Sequence, residues 1–408
     1  MVPLGRKTLF EDLPRFLVAQ AGVAFAVALI AIETGIYFGF LKSAVLPIVG
    51  SSADIWIAAK EGLYYELTIP VSYDKLDRAR HVAGVERAEA VLLETSAWRG
   101  PDRKIELIRV VGFDPDGTLF GLGPVADDTR KKLRAPNTAM VDASKLDALN
   151  ISGVGGYGKV GLHSVRIIGL TRGTQPVVSA SFIYASLRNA KAYLAPPMPP
   201  LPPLYLGIYR LVQLPSAKPT PKPAAGTLEP KDGISYILVK AKPGTDLVAL
   251  KQRLDNALAG TIAYTQAEMA ERTDTYWVQR TGIGFVLGVA ALVGVIVGMV
   301  VVGQILYTSV AEHIKEYGTL RAMGAPDSLF YAVIAEQAVF MALLGFVPGI
   351  ILSLLVSMWS QAHREILILI TPTSAAFTLA GIVVMCAASG VFAVQRALRV
   401  DPAIVFKA

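Results

Sequence analysis

Four apolar runs, each longer than about 18 residues, govern what this chain can fold into. In a hydrocarbon layer about 30 Å thick, only a helix or a closed barrel satisfies its own backbone. The runs occupy 16–41, 282–307, 330–358 and 374–394 of the 408 residues. At roughly 1.5 Å per residue each helix is longer than the layer is thick, so tilt or protrusion is expected. Composition agrees, since a mean hydropathy of +0.48 with 17% charged residues is too apolar for a soluble chain of this length. The first run is expected to stay as an anchor: it is too long for the apolar core of a cleaved leader and carries Glu33.

Basic residues near the spans set the orientation. Arg6, Lys7 and Arg15 precede the first span, Lys315 and Arg321 lie between the second and third, and Arg396, Arg399 and Lys407 follow the fourth. Only Arg364 lies in the loop between the third and fourth. The positive-inside rule therefore places both termini and the 308–327 segment in the cytoplasm, and the long 42–281 segment outside. Segment 1–15 mixes Leu9, Phe10 and Leu13 with Arg6, Lys7, Glu11 and Asp12, which suits an interfacial helix or a plain tail equally. The expected division is an interfacial segment (1–15), a first transmembrane helix (16–41), an outer domain with stalk ends (42–281) and a second helix (282–307). A cytoplasmic helical segment (308–327), a third helix (328–358), a short outer loop (359–373), a fourth helix (374–394) and a cytoplasmic tail (395–408) follow.

The two ends of the outer domain share a pattern. Residues 54–59 and 88–94 are strand-like around a helical 73–83, and 234–240 and 261–265 are strand-like around a helical 246–258. The fold class expected is thus a multi-pass α-helical membrane protein with four transmembrane helices and a large extracytoplasmic α+β domain. That domain would combine a split βαβ subdomain with an inserted, mostly-β subdomain at about 115–230, carrying strands at 160–170 and 182–183. Proline clusters at 196–203 and 215–223 favour polyproline II and read as spacer or exposed loop, with docking to an outer partner as the alternative.

Several chemistries are excluded. GVGGYGK at 153–159 matches both a dinucleotide fingerprint and most of a P-loop, but Val160 stands where a magnesium-binding hydroxyl is required, and the following residues are patterned as a strand. A glycine-rich turn is the expectation there, and without another Walker A sequence the chain does not hydrolyse ATP alone. The net charge of +7 comes from basic residues scattered among acidic ones, so no nucleic-acid partner is expected. The single cysteine, Cys386, falls in the fourth span, and His81, His163, His313 and His363 are far apart, so no metal site and no catalytic constellation is expected.

Within the spans, Glu33 is the one acidic residue well inside, at a cost of about 2.5–3.5 kcal/mol if ionised there, so it should face protein or water. Glu336 and Gln337 sit in the first part of the third span. Gly35 with Gly39, Gly284 with Gly288, Gly294 with Gly298, and Gly345 with Gly349 are small-xxx-small pairs that permit close helix approach and together lean toward dimerisation. The stretch 308–325, TSVAEHIKEYGTLRAMGA, keeps helical spacing for about four turns beyond the second span and ends at Gly324, with Pro326 and Asp327 restarting the chain. A helix that continues past the membrane surface and then stops reads as a docking element.

The order of one span, a large outer domain and three more spans, with EYGTLRAMGA at 316–325 and QRALRVDPAIVFKA at 395–408, resembles the FtsX-like permeases of MacB-type ABC exporters. The architecture covers the whole chain and the specific motifs its C-terminal third. AGVAFA at 21–26 is most similar to DevC-type permeases, which work with a separate ATPase and a membrane fusion protein. The resemblance implies that 308–327 is a coupling helix docked on an ABC ATPase, with the contact formed by Glu316, Tyr317, Gly318, Thr319, Leu320, Arg321, Ala322, Met323 and Gly324. It further implies two permease copies facing each other in a bacterial inner (plasma) membrane, no cofactor in this chain, and ATP with magnesium held by the partner. A stalk at 42–49 and 266–280 would relay ATPase state to the outer domain, a mechanotransmission that exports amphiphilic or lipid-like cargo and makes this subunit non-catalytic by itself. Alternatives within the resemblance are a signalling subunit that regulates a cell-wall hydrolase and a lipoprotein-extracting permease.

Overall fold

The computed structural model describes residues 13–177, 179–194, 228–280, 282–313, 316, 319–320, 323–363 and 367–398. Both proline clusters and the greater part of the 1–15 segment lie outside the described residues. The chain divides into two compact units, Lys42–Gln279 and the remainder.

The described chain begins in α1 (Leu13–Ala44) and a short α2 (Leu46–Val49). A sheet domain follows with strands β1 (Ile55–Ala59), β2 (Val71–Ser72), β3 (Val85–Arg99), β4 (Ile105–Phe113), β5 (Thr138–Asp142), β6 (Tyr157–Val160), β7 (His163–Thr171), β8 (Ser181–Ser186), β9 (Gly233–Ile234), β10 (Tyr236–Ala241) and β11 (Thr261–Thr265). Its helices are α3 (Asp74–Arg80), α4 (Asp127–Lys131), α5 (Leu187–Tyr193), α6 (Leu247–Ala257) and α7 (Gln266–Arg280). The chain then returns through α8 (Ile283–Glu312), α9 (Asp327–His363) and α10 (Pro372–Leu398).

Nine of these strands form one continuous sheet, ordered β11-β1-β10-β3-β4-β8-β5-β7-β6, with β6 pairing back onto β3, while β2 and β9 pair in a separate two-stranded sheet. The first four strands with α3 and α6 make the split βαβ arrangement, in which β1 and β3 run parallel on either side of the antiparallel β10. The last six strands, β3 included, close into a barrel. This corrects the expected insertion at about 115–230. The junction falls inside β3, whose residues 85–91 pair with β10 and whose residues 92–99 pair with β4. A 15-residue strand long enough for both ladders removes any hinge between the halves. The expected single strand at 160–170 is likewise a hairpin, because Gly161, at φ +57°, turns β6 into β7.

Residue alternation explains why the sheet is covered on both faces. Along β1, Ile55, Ile57 and Ala59 join one core, which runs under α3 and α6 and on into the barrel, while Trp56 and Ala58 join the other. Inside the barrel Trp98 donates its indole N–H to the Leu149 carbonyl at 3.0 Å. In the second core Tyr65 and Tyr236 stack at 5.7 Å, Trp56 meets Tyr236 edge-on at 5.4 Å, and the Tyr236 hydroxyl donates to the Tyr65 carbonyl at 2.7 Å. Beside it Arg109 and Glu66 form a largely buried pair at 3.6 Å, with Glu66 also accepting from Ser179 at 2.9 Å. Burial outweighs these partners and raises the Glu66 carboxyl above its ordinary range.

In the other unit, α1, α8, α9 and α10 are long and apolar enough to cross a membrane. Their shared core consists of rows spaced four residues apart: Ala19, Val23 and Val27 on α1, Val302, Leu306 and Val310 on α8, Phe330, Ile334, Ala338 and Ala342 on α9, and Ile382 with Cys386 on α10. Three of the four glycine pairs are used inside the chain. A Cβ on Gly345 would lie 2.5 Å from Val23 Cγ1, and one on Gly349 would lie 2.6 Å from Val27 Cβ. Gly298 meets Met385 and Ala26, and Gly39 meets the Leu367 carbonyl. This removes most of the support those pairs lent to dimerisation, because only Gly284 and Gly288 stay open enough for a side chain. The helix α10 starts where Thr371 and Ser374 cap each other, Ser374 N–H to Thr371 Oγ1 at 3.1 Å and Thr371 N–H to Ser374 Oγ at 2.9 Å, with Pro372 at the first helical position.

Two substitutions test these packings. Arg109→Met strands the buried Glu66 carboxylate and is expected to destabilise the sheet domain by about 3–5 kcal/mol. Thermal unfolding should show the loss and its partial recovery in Arg109→Met/Glu66→Leu, and an unchanged transition in the single variant would contradict the pairing. Gly349→Ala overpacks the α1–α9 contact at a cost of about 1–3 kcal/mol, and adding Val27→Gly should recover much of it in a detergent-stability assay.

Candidate functional site

The stretch after the second span differs from the single continuous helix expected there. The helix α8 runs to Glu312, with Thr308 Oγ1 bonded back to the Gln304 carbonyl at 2.8 Å, and His313 lies in a turn. Glu316 N–H then donates to the His313 carbonyl at 3.1 Å, and Met323 N–H to the Thr319 carbonyl at 3.0 Å, which is helical spacing. Gly324 closes this piece at φ +86°, and Ala325 N–H reaches back to the Leu320 carbonyl at 3.0 Å, the six-to-one bond of a Schellman cap. Leu320 and Ala325 pack, partly buried, against the bundle core that contains Val310 and Phe330.

The segment consequently has two sides. Leu320, one of the nine residues expected to meet an ATPase, is committed to the bundle. Glu316 and Thr319 are exposed, and Met323 shows 72% of its surface to solvent. A flexible thioether side chain at such a position suits an adaptable contact. Tyr317, Gly318, Arg321 and Ala322 lie outside the described residues. Glu33 is half-buried on α1, near Gly35, whose carbonyl accepts from Leu369 N–H at 2.9 Å where the 367–370 segment folds against that helix.

In the sheet domain, the two segments expected as a stalk are tied at one end. The Gln266 side-chain amide at the start of α7 donates to the Ile48 and Ser51 carbonyls, each at 2.9 Å. Farther along α7, Arg272 donates to the Leu63 carbonyl at 3.0 Å and Tyr276 stacks on Tyr64 at 4.0 Å. These contacts bind α7 to the 60–69 loop and through it to the aromatic core. Sequence reasoning missed this brace, although the aromatic residues at 64–65 and 276–277 were a signal for it. Half-buried between these points, Asp274 has no hydrogen-bond partner for Oδ1 among the described residues, and burial pushes its carboxyl up to about 6.

The GVGGYGK stretch forms no phosphate cradle. Gly153 and Gly155 have φ of +137° and +93°, and the chain passes directly into β6, so the glycines make a turn between strands.

With the geometry set out, comparison with known proteins gives the family. Residues 16–257 match the MacB-like periplasmic core domain, and residues 288–402 match the FtsX-like permease C-terminal domain. The first match alone spans more than half of the chain, and the chain belongs to the family of membrane permeases built from these two domains. An uncharacterized ABC transporter permease of Mycobacterium tuberculosis is 34% identical over 112 residues, 27% of this chain and 31% of that protein. Another, from Methanocaldococcus jannaschii, is 27% identical over 128 residues, 30% of this chain and 32% of its own length. The chain thus matches about a third of the length of these curated relatives. Among solved structures, the periplasmic region of MacB from Actinobacillus actinomycetemcomitans aligns with 55% of this chain and 94% of its own, at 11% identity and a TM-score of 0.34.

The Asp274 carboxyl gives a pH signature. The folded protein holds this proton more tightly than the unfolded chain, whose value is near 3.8, so ionisation costs stability above pH 6 and the cost disappears below about pH 4. Asp274→Asn should raise the thermal midpoint at pH 8 and leave it unchanged at pH 4; an equal effect at both pH values would contradict the burial.

Proposed function

We propose that this chain is the permease subunit of an ATP-driven exporter in a bacterial inner membrane, working by mechanotransmission with a separate ABC ATPase. The observation that carries the reading lies in the described residues after the second span: Leu320 and Ala325 pack against the four-helix core, while Glu316, Thr319 and Met323 face solvent. A load applied to such a piece is passed to α8 and α9 rather than absorbed in a flexible loop. Family membership supports the same assignment, and the relatives' description as ABC transporter permeases supplies the ATPase as partner.

In this reading both termini and the 308–325 segment are cytoplasmic, and the sheet domain is outside. ATP and magnesium belong to the partner. Two copies of the permease face each other, each with a stalk at 42–49 and 266–280. The Gln266 tie and the Tyr64–Tyr276 stack join stalk to sheet, so displacement of α7 moves the domain as a body. The shared strand β3 keeps split βαβ half and barrel together during that motion. An amphiphilic cargo and a membrane fusion protein complete the assembly, the latter by the similarity of the 21–26 stretch to DevC-type permeases.

Surface variants test the contact without disturbing the core. Met323→Asp and Glu316→Arg should each lower co-purification of the ATPase by about tenfold, the equivalent of roughly 1.4 kcal/mol, while the permease keeps its thermal midpoint. Charge reversal at Arg321 should act in the same direction. Co-purification and export at wild-type levels in all three variants would overturn the assignment.

A further inference from the structure

A cavity of about 540 Å³ lies in the sheet domain where the split βαβ half meets the barrel, between α3, the end of β4 and the start of α5. Its volume falls within the roughly 300–1,000 Å³ of small-molecule sites, which favour such junctions. The floor is apolar: Leu76, Ala90, Phe113 and Leu187 line it and are each buried. The rim carries three carboxylates and three guanidinium groups, and their bonding is unequal.

The carboxylates are engaged. Glu89 accepts the Thr118 and Leu119 N–H groups at 2.8 and 3.1 Å, Asp114 accepts the Asp116 N–H at 3.0 Å, and Asp116 accepts Arg134 Nε at 2.9 Å. That last pair also uses Arg134. Arg80 gives only its Nε, to the Ala88 carbonyl at 3.2 Å. Arg188 makes no hydrogen bond or ion pair among the described residues. The unspent capacity of the rim is therefore planar, cationic and donor-only, which is the geometry that takes a phosphate or carboxylate in a forked pair.

We propose that this cavity binds a small anionic amphiphile, with a phosphate or carboxylate head held by Arg188 and Arg80 and a short apolar body resting on Leu76, Leu187 and Leu228. Both parts are required. The rim acids oppose a compact, densely charged anion, and a neutral apolar molecule makes no use of Arg80 and Arg188, which are exposed at the rim. The site goes beyond the transmission reading, and its binding is measured without nucleotide or ATPase, so failure of one leaves the other standing.

The test is calorimetric titration of the full chain in lipid nanodiscs with hexyl phosphate, inorganic phosphate and hexanol. Hexyl phosphate should bind saturably and at least tenfold more tightly than either half of the molecule alone. Arg188→Glu and Leu228→Asp should each weaken it tenfold or more at an unchanged thermal midpoint. Competition by phosphatidic acid added to the nanodisc would assign the natural head group to a bilayer lipid; equal affinity with and without it would assign it to a soluble organic anion. No saturable binding by the wild type, full affinity in Arg188→Glu, or inorganic phosphate binding as tightly as hexyl phosphate would each overturn the proposal.

Discussion

The seating of Val23 and Val27 of α1 in the notches at Gly345 and Gly349 of α9 is the contact on which the helical unit depends. Lipid tails are as apolar as valine, so helices in a membrane gain nothing by hiding apolar surface from water, and association rests on close van der Waals contact and a few hydrogen bonds. The glycines supply the approach, and rows of side chains four residues apart fill the interior from α8 and α10. Ser389 adds a cross-helix bond, donating to the Met299 carbonyl at 3.0 Å. Close contacts of this kind tie α1, α8, α9 and α10 into one packed core.

The sheet domain is held together by a different device. One strand carries the ladders of both halves, β3 pairing with β10 in the split βαβ half and with β4 in the barrel. Trp56, Tyr65 and Tyr236 fill one face, and Arg109 with Glu66 fixes the covering loop over it. The α7 helix is braced to that loop by aromatic stacking and backbone-directed bonds. The cavity between the halves is lined by α3, by Glu89 and Ala90 of β3, by the end of β4 and by the start of α5.

The membrane class, the four helices and both βαβ-like ends were legible because apolar run length and residue alternation are local signals. Asp246, expected as the first helical residue, instead caps α6 by accepting the Val248 N–H. What was not legible depends on partners far away in sequence. The β3–β6 pairing joins Trp98 to Val160, and no window of sequence contains both. The glycine pairs looked alike, yet only the tertiary structure separates those that seat a neighbour from Gly284 and Gly288. The inward turn of Leu320 was hidden for the same reason, since a leucine in a charged stretch suits a docking face and a bundle face equally.

In the function proposed above, this chain converts the nucleotide state of a partner into movement of its sheet domain. Distance measurement between spin labels at Lys42 and Gln279, in the permease assembled with its ATPase, tests it most directly. The account predicts distinct distance distributions in the nucleotide-free and ATP-bound complexes, with the difference abolished in a variant that hydrolyses ATP but has lost the Met323 contact. Identical distributions in both nucleotide states of a complex that hydrolyses ATP and exports at normal rates would contradict it.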